Sequence, residues 1–214
     1  APFSNRRFAG DREGDIANGI ECARAVRAAI GPEVDLLVDC YGIFTREEGL
    51  RIARTLDELN LYWLEEPVGE EDVEGYLAVG KATSATIAGG ERFMLESGFE
   101  PALRHRMMDV VMPDVTIVGG IRELYRVARA AAARHLETSP HGPFGPITVA
   151  AHLQLMAAHP DFRILEYAWG QVPWRADLIE PRETVENGRL AIPDRPGLGF
   201  SLNPAVVAAH SFAS

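Results

Sequence analysis

The sequence predicts an α/β fold, and three observations support that prediction. Short runs rich in apolar and β-branched residues alternate with longer segments of helical periodicity along the 214 residues. This alternation is typical of parallel strands that are joined by helices. The short runs are apolar along their length, as strands buried on both faces are, and five of the six end in an acidic residue or a histidine.

Six strands are predicted, with helices between them. The predicted strands are residues 34–39, 61–66, 86–91, 109–114, 136–141 and 163–168. The clearest helical segments are residues 16–30, 45–60 and 121–135. Gly31 and Pro32 end the first of these helices, and a capping-box pattern of Thr45 and Glu48 begins the second.

The residues at the strand ends favour a TIM-type (β/α) barrel over a doubly wound sheet. In a barrel the carboxyl ends of all strands meet at one mouth, where the active sites of this fold lie. No GxGxxG motif follows the first predicted strand, so a dinucleotide-binding sheet is not indicated. We therefore expect the polar side chains of the strand ends to face one another: Asp39, Glu65 or Glu66, Glu91, Asp114 and His141.

Composition and charge exclude several classes of function. Hydrophobic residues make up 47% of the chain and charged residues 24%, which is ordinary for a globular domain with one large core. A formal net charge of −10 disfavours a nucleic-acid partner, and no apolar run of about 18 residues indicates a membrane span. Cys22 and Cys40 form no CxxC motif, so neither a disulfide framework nor a thiolate zinc site is indicated. We expect a soluble, cytoplasmic protein.

Three of the strand-end residues predict a metal site. Asp39, Glu65 and Glu91 follow one another at equal intervals of 26 residues, one βα unit apart. Three carboxylates directed at one point cannot all ionise in a semi-buried site unless a cation is bound. Hard oxygen ligands without cysteine favour Mg²⁺ over Zn²⁺. The alternative is that each carboxylate caps the following helix or pairs with an arginine.

The strand ends also resemble a known family. The segments "VDCYG", "WLEEPV", "AGGERF", "VMPDVTIVGG" and "TSPHGPFGP" look like consecutive strand ends of the enolase superfamily, in its mandelate racemase-like subgroup. The tail "ENGRLAIPDRPGLGFSLN" is similar to the carboxyl-terminal part of that family. Acid sugar dehydratases of the galactonate type are the most similar, through "PHGPFGPI".

This resemblance implies a role for each candidate residue. Asp39, Glu65 and Glu91 match the Mg²⁺ ligands of the family, with the first glutamate of "EEP" as the ligand. Asp114 and His141 match its Asp-His dyad, in which the histidine acts as the base. Two further residues are predicted to bind the substrate: Tyr41, two residues after Asp39, and Glu166, which matches an acid near the substrate carboxylate.

The reaction implied by the resemblance is dehydration of a sugar acid. His141 removes the proton next to the substrate carboxylate, Mg²⁺ stabilises the charge that develops, and elimination of the 3-hydroxyl gives a 2-keto-3-deoxy acid. Three alternatives remain open at this point. They are racemisation or epimerisation of a 2-hydroxy acid with a lysine outside this chain, a glycosidase that uses Glu65 and Glu91, and a non-catalytic barrel scaffold.

The resemblance begins at the third strand of the family's barrel. The first two barrel strands and the amino-terminal α+β capping domain have no counterpart in this chain. We therefore expect residues 1–177 to form a partial barrel of six βα units with open edges, and residues 178–214 to form a tail that closes toward the capping domain. The expected partners are an acid sugar substrate and further copies of the same chain.

Overall fold

The computed structural model describes Phe3 and residues 11–159 and 161–211. The helices in this part of the chain are α1 (Arg12–Ile30), α2 (Arg46–Leu56), α3 (Val73–Gly80), α4 (Leu95–His105), α5 (Ile121–Ala132), α6 (Pro146–Ala158) and α7 (Pro204–His210). The strands are β1 (Leu37–Asp39), β2 (Trp63–Glu65), β3 (Thr86–Gly89), β4 (Val110–Val111), β5 (Glu137–Thr138), β6 (Ile179–Glu180), β7 (Val185–Glu186), β8 (Arg189–Leu190) and β9 (Ser201–Leu202). None of these helices is long and apolar enough to cross a lipid bilayer.

The first five strands form one parallel sheet in chain order, β1 to β5. A helix lies between each strand and the next, as parallel connections require. The predicted α/β arrangement is therefore confirmed. Within the described residues the sheet does not close on itself, and β1 and β5 are its two edges.

The sixth predicted strand is wrong. Residues 163–168 have no strand conformation, and this segment joins the sheet through a single parallel bridge between Thr138 and Phe162. Two backbone hydrogen bonds make this bridge, from Thr138 N to the carbonyl of Asp161 at 3.3 Å and from Arg163 N to the carbonyl of Thr138 at 3.1 Å. Pro140 and Pro143 follow β5 and offer no N–H to a ladder, which explains why the pairing stops there.

Two helix starts illustrate how local sequence sets the element bounds. The predicted capping box of α2 is present: Thr45 Oγ1 accepts the Glu48 N–H at 3.3 Å, and Glu48 Oε2 accepts the Thr45 N–H at 2.8 Å. The first helix begins at Arg12, four residues before the predicted Ile16. It does so because the carboxylate of Asp11 caps it by accepting the N–H of Gly14 at 2.9 Å.

Apolar side chains cover both faces of the sheet. The large core between the sheet and the helices includes Val38, Leu64 and Val111. A smaller cluster packs the opposite face and consists of Trp63, Ala88, Val110 and Met112. Burial on both faces explains why the strands read as continuous apolar runs.

The tail is built from short antiparallel pairs. β6 pairs with β9, and β7 pairs with β8, while a 3-10 helix at Arg175–Leu178 connects the tail to the sheet domain and contacts α6. The predicted domain boundary after residue 177 thus falls inside this short helix. The expectation that the tail closes toward a capping domain stays a prediction.

Candidate active site

The predicted site residues lie along one edge of the parallel sheet. Asp39 and Glu65 are the last residues of β1 and β2, and they are direct register partners. Glu91 comes two residues after β3, and Asp114 and His141 come three residues after β4 and β5. Because all five strands run in the same direction, these positions share the carboxyl end of the sheet.

Asp39 and Glu65 are held close together and away from water. Burial raises the pKa of Glu65 to about 9, and the charges of Asp39, Glu166 and Glu91 add to that rise. Burial also raises the pKa of Asp39 to about 6, although its Oδ1 accepts the N–H of Tyr41 at 2.7 Å. The carboxylates therefore repel one another across the strand ends, as a cation-binding set does before the cation arrives.

Trp63 contributes to the site in a way that the sequence analysis missed. Its indole Nε1–H donates a hydrogen bond to Glu65 Oε2 at 3.1 Å, while the ring is almost fully buried. The two residues are separated by one position in β2, so both side chains emerge on the same face of the strand. A tryptophan two positions before a strand-end glutamate is the signal that would have found this contact.

Arg92 ties three strand ends together and was also missed. Its guanidinium forms an ion pair with Glu66, donates to the carbonyl of Tyr41 at 3.0 Å, and lies 3.4 Å from Glu91 Oε1. Burial raises the pKa of Glu66 to about 7, with Glu91 raising it further and Arg92 lowering it. The structure thus separates the two glutamates of "EEP": Glu65 faces Asp39, and Glu66 faces Arg92.

Asp114 and His141 form the predicted pair. His141 Nδ1 lies 2.7 Å from Asp114 Oδ2, and the other carboxylate oxygen accepts the N–H and the hydroxyl of Thr116 at 2.7 and 2.6 Å. Burial raises the pKa of Asp114, but these hydrogen bonds outweigh it and the pKa is lowered. An ionised Asp114 accepts the Nδ1 proton, which leaves Nε2 as the nitrogen that faces the mouth.

The second nitrogen of His141 faces two more carboxylates. Nε2 lies 3.0 Å from Glu91 Oε2 and 3.9 Å from Glu166 Oε2. Burial lowers the pKa of His141, but the hydrogen bond to Asp114 and the charges of Glu91 and Glu166 raise it above its ordinary value. The imidazole side chain is only 12% exposed, so it titrates in a largely enclosed environment.

Glu166 and Tyr41 complete the set. Glu166 Oε2 accepts the N–H of Gly142 at 2.8 Å, which links it to the segment that carries His141. Burial raises the pKa of the Tyr41 hydroxyl, and the nearby charges of Asp39 and Glu91 raise it further. The structure therefore brings all seven predicted residues to one edge of the sheet, while their individual roles stay predictions.

A buried histidine lies beneath the dyad. His152, on α6, accepts the N–H of Val115 at Nε2 over 3.4 Å and is fully buried. Burial lowers its pKa to about 4, so it is neutral near pH 7 and adds no charge beside Asp114.

The donor chemistry of the site fits a hard divalent cation. In the ranges that the structure describes, no three acidic, histidine or cysteine side chains are drawn together tightly enough to form a ready-made ion cage. Glu91 is engaged by His141 and Arg92 instead. The fit rests on the oxygen donors of Asp39, Glu65 and Glu91 at neighbouring strand ends, where burial and mutual repulsion favour a compensating charge.

Comparisons with known proteins show which family the chain is similar to. The sequence model of the family described as enolase C-terminal domain-like matches residues 5–206. The D-xylonate dehydratase of Haloferax volcanii is 34% identical over 199 residues, which are 93% of this chain and 48% of that protein. The D-galactarolactone cycloisomerase of Agrobacterium fabrum is 34% identical over 197 residues, which are 88% of this chain and 52% of that protein.

A solved structure shows the same likeness in three dimensions. The mandelate racemase/muconate lactonizing enzyme from Jannaschia sp. CCS1 superposes with a TM-score of 0.88 at 32% identity, covering 100% of this chain and 55% of that one. The chain thus spans about half the length of the relatives that it matches. Its sequence match, its parallel sheet and its mandelate racemase-like structural relatives agree: the chain belongs to the enolase C-terminal domain-like family of the enolase superfamily.

Proposed function

We propose that the complete protein is a Mg²⁺-dependent hydro-lyase that dehydrates a sugar acid to a 2-keto-3-deoxy acid. One observation carries the proposal. The imidazole of His141 lies between Asp114, which orients it, and Glu91, a predicted metal ligand, at 2.7 and 3.0 Å. A base in that position lies next to the carboxylates that would hold the metal ion. The D-xylonate dehydratase relative supports the same reaction class.

Asp39, Glu65 and Glu91 would hold the metal ion. When it is bound, Mg²⁺ supplies a fixed positive charge that stabilises the negative charge developing on the substrate carboxylate. The protein contributes a buried oxygen-donor set and the Trp63 N–H that orients Glu65. Arg92 holds the ends of the three strands in one arrangement.

His141 would carry the proton transfers. In its neutral form, Nε2 takes the α-proton, and the electron pair of the C–H bond passes toward the carboxylate. Asp114 stabilises the imidazolium that results, because its charge lies on the opposite nitrogen. The imidazolium then returns the proton to the 3-hydroxyl, and the electron pair returns to form a C2=C3 double bond as the C–O bond breaks and water leaves. The resulting enol gains a proton at C3 from solvent and loses its hydroxyl proton, which gives the 2-keto acid. Positioned acid-base catalysis of this kind contributes roughly 10²–10⁴-fold.

Glu166 and Tyr41 would contact the substrate. Both lie among the strand-end carboxylates, and Glu166 is near His141 Nε2 at 3.9 Å. A tyrosine hydroxyl can donate a hydrogen bond to a sugar hydroxyl, and a carboxylate can accept a hydrogen bond from a sugar hydroxyl. Their polarity therefore suits a polyhydroxylated acid.

A second candidate shares the first step and differs in the second. The relative named D-galactarolactone cycloisomerase is the observation that favours it, because that name denotes an isomerisation and not a dehydration. Racemisation of a 2-hydroxy acid belongs to the same group of outcomes. In each case His141 removes the α-proton. The product then depends on whether the negative charge that develops on the substrate carboxylate expels a leaving group or takes up a proton again.

The test is to follow the α-proton and the product separately. Incubation of the complete protein with Mg²⁺ and a panel of sugar acids in D₂O gives both, by NMR for the α-proton and by a 2-keto acid assay for the product. For His141→Asn we expect both signals to fall by about 10²-fold or more, with Mg²⁺ affinity within about twofold of wild type. Asp114→Asn should be milder, because it disturbs the orientation of the base without removing it.

Two outcomes count against the proposal. Exchange of the α-proton without a 2-keto acid product would support the cycloisomerase or racemase reading instead. Wild-type exchange in His141→Asn would show that the base lies elsewhere, and the same measurement on Glu166→Gln would test a nearby carboxylate that is not assigned to the metal. His105→Asn is the matched control, since this exposed histidine at the end of α4 lies away from the strand ends.

A further inference from the structure

Arg175 is a buried cation outside the site described above. It lies in the 3-10 helix that begins the tail, and its side chain is 8% exposed. Its Nε donates to Glu183 Oε2 at 3.1 Å, its Nη1 donates to the carbonyl of Phe144, and its guanidinium lies over the ring of Tyr167 at 4.8 Å. A guanidinium suits this environment because its planar fork serves several acceptors at once.

Glu183 joins the tail to the same point. Its side chain is 4% exposed, and Oε2 also accepts the Tyr167 hydroxyl at 2.6 Å. We call Arg175, Glu183 and Tyr167 the Arg175 cluster. The Nη2 of Arg175 and the Oε1 of Glu183 are buried without a hydrogen-bond partner, so the pair is not fully compensated.

The Arg175 cluster reaches the segment that carries His141 at two points. The first is direct: Phe144, whose carbonyl binds Arg175, lies three residues after His141 and packs edge-on against its ring at 5.8 Å between centroids. The second runs through Tyr167, which directly follows Glu166, whose carboxylate accepts the Gly142 N–H. Residues 141–144 are therefore held by two hydrogen bonds, one at Gly142 and one at Phe144.

Stability alone does not explain this arrangement. A buried ion pair costs desolvation energy, and well-packed apolar residues of similar volume are often as stable or more stable. The charged pair instead fixes an orientation, because the planar guanidinium holds the carbonyl of Phe144 and the carboxylate of Glu183 in one fixed geometry. The group held in this way is the backbone next to His141.

We propose that Arg175 and Glu183 are positioning residues for His141: the tail fixes residues 141–144 so that the imidazole stays aligned between Asp114 and the mouth of the site. This inference rests on the proposed function for its kinetic consequence. Its structural consequence, an ordered 141–144 segment, is independent of the reaction. The two consequences are measured separately.

The kinetic test compares buried and exposed arginines of the same region in the complete protein. Arg175→Met should lower kcat by about 10–100-fold, with KM and calorimetric Mg²⁺ affinity within about twofold, because misplacing a base by about 1 Å costs rate and leaves ground-state binding in place. Arg182→Gln is the matched control. This variant removes an exposed ion pair, in which the side chain of Arg182 is 65% exposed and that of Asp177 is 47% exposed. It should leave kcat unchanged.

Tyr167→Phe is a second, milder variant, which keeps the test valid if Arg175→Met does not fold. It deletes one hydroxyl of the cluster and keeps the ring beneath Arg175, so the fold is retained and kcat should fall about 2–10-fold with the same unchanged KM. Arg175→Lys keeps the charge and loses the fork. It should rescue less than half of the kcat lost in Arg175→Met if direction matters, and most of it if charge alone matters, which would overturn the proposal.

Amide hydrogen exchange provides the readout that does not need activity. In Arg175→Met and Tyr167→Phe, the peptide containing Gly142 and Phe144 should exchange faster, while peptides from β1 and β2 remain unchanged. Equal acceleration throughout the chain would show a merely structural role, and unchanged exchange at Gly142 would show no coupling; either result overturns the proposal. If wild-type protein transforms no sugar acid, the proposed function fails, and the exchange data still decide on the positioning.

Discussion

Glu65 shows how burial and charge oppose each other at the scale of one residue. Its carboxyl group is buried at the end of β2, beside the charges of Asp39 and Glu91, and its pKa rises to about 9. The indole N–H of Trp63 favours its ionised form. As a proposed metal ligand, Glu65 depends on this donor for the orientation of its carboxylate.

The first prediction follows from that hydrogen bond. Trp63→Phe removes the N–H donor and keeps an aromatic ring in the core, so we expect Mg²⁺ affinity to fall by about 10-fold, as losses of outer ligand-orienting groups do. Calorimetric titration of the complete protein measures it. Tyr62→Phe is the control, since Tyr62 adjoins the same cluster and stacks on Arg163 instead of contacting Glu65. Equal affinities in the two variants would remove Trp63 from the site.

The strand-end residues were predictable from sequence because their pattern is local and repeated. An acid at the end of each apolar run, one βα unit from the next, places Asp39, Glu65 and Glu91 at one edge without knowledge of any contact. Arg92 and Arg175 were not predictable in this way. Their partners lie in other elements, and nothing in the sequence near either arginine indicates which carbonyl it binds.

At the scale of elements, prediction succeeded where local chemistry sets the bounds. The capping box of α2 needs only Thr45 and Glu48, and both hydrogen bonds form. The sixth strand failed because its existence depends on a partner. β5 has two residues, and the prolines that follow it stop the ladder, so residues 163–168 remain outside the sheet despite their apolar and aromatic composition.

The second prediction concerns the start of α2. Glu48 accepts the Thr45 N–H and pairs with Arg12 from α1, and the hydrogen bond from Arg12 lowers the pKa of Glu48 to about 2 although burial opposes it. Glu48→Gln keeps an oxygen that accepts the Thr45 N–H but loses the charge that pairs with Arg12. It should therefore lower the free energy of unfolding by about 1 kcal/mol or less, because the half-exposed Arg12 is screened by solvent. Urea denaturation at neutral pH measures the difference.

The pH dependence of that difference identifies its origin. Because the folded pKa of Glu48 lies below its unfolded value near 4.5, its stabilising contribution is present above that value and is lost as pH falls toward about 2. The difference in stability between wild type and Glu48→Gln should therefore shrink progressively as pH falls from about 4.5 and vanish near pH 2. Glu47→Gln removes the same charge from the same helical turn at an exposed position, and it should lie close to wild type throughout.

At the scale of the whole molecule, the open sheet and the strand-end carboxylates belong together. The described chain forms five strands of a parallel sheet with edges at β1 and β5, and it spans about half the length of its relatives. Several like charges at the carboxyl edge work against the folded state until something compensates them. The stability of the complete protein should therefore depend on both pH and Mg²⁺, in a direction that the pKa shifts determine.

The pKa shifts of Glu65, Asp39 and His141 determine whether stability rises or falls with pH. The folded pKa values of Glu65 and Asp39, about 9 and about 6, lie above their unfolded values of 4.5 and 3.8. Between each pair of values the unfolded chain binds fewer protons than the folded one, so stability falls as pH rises. His141 acts in the same direction. Its raised pKa makes its contribution complete below 6.5 and lost as pH rises through the folded value.

The last prediction is that Mg²⁺ removes most of this slope. Without metal, the melting temperature of the complete protein should fall steadily from about pH 5 to about pH 9; with saturating Mg²⁺ it should change much less, because the cation favours the ionised carboxylates in the folded state. The stabilisation by Mg²⁺ therefore grows with pH.

Thermal melts in EDTA and in Mg²⁺ across this range measure both curves. Glu65→Gln, which removes the largest raised pKa, should flatten the metal-free curve and abolish the Mg²⁺ effect together. A metal-free melting temperature that rises toward pH 9 would show that these carboxylates are not the charges that oppose folding.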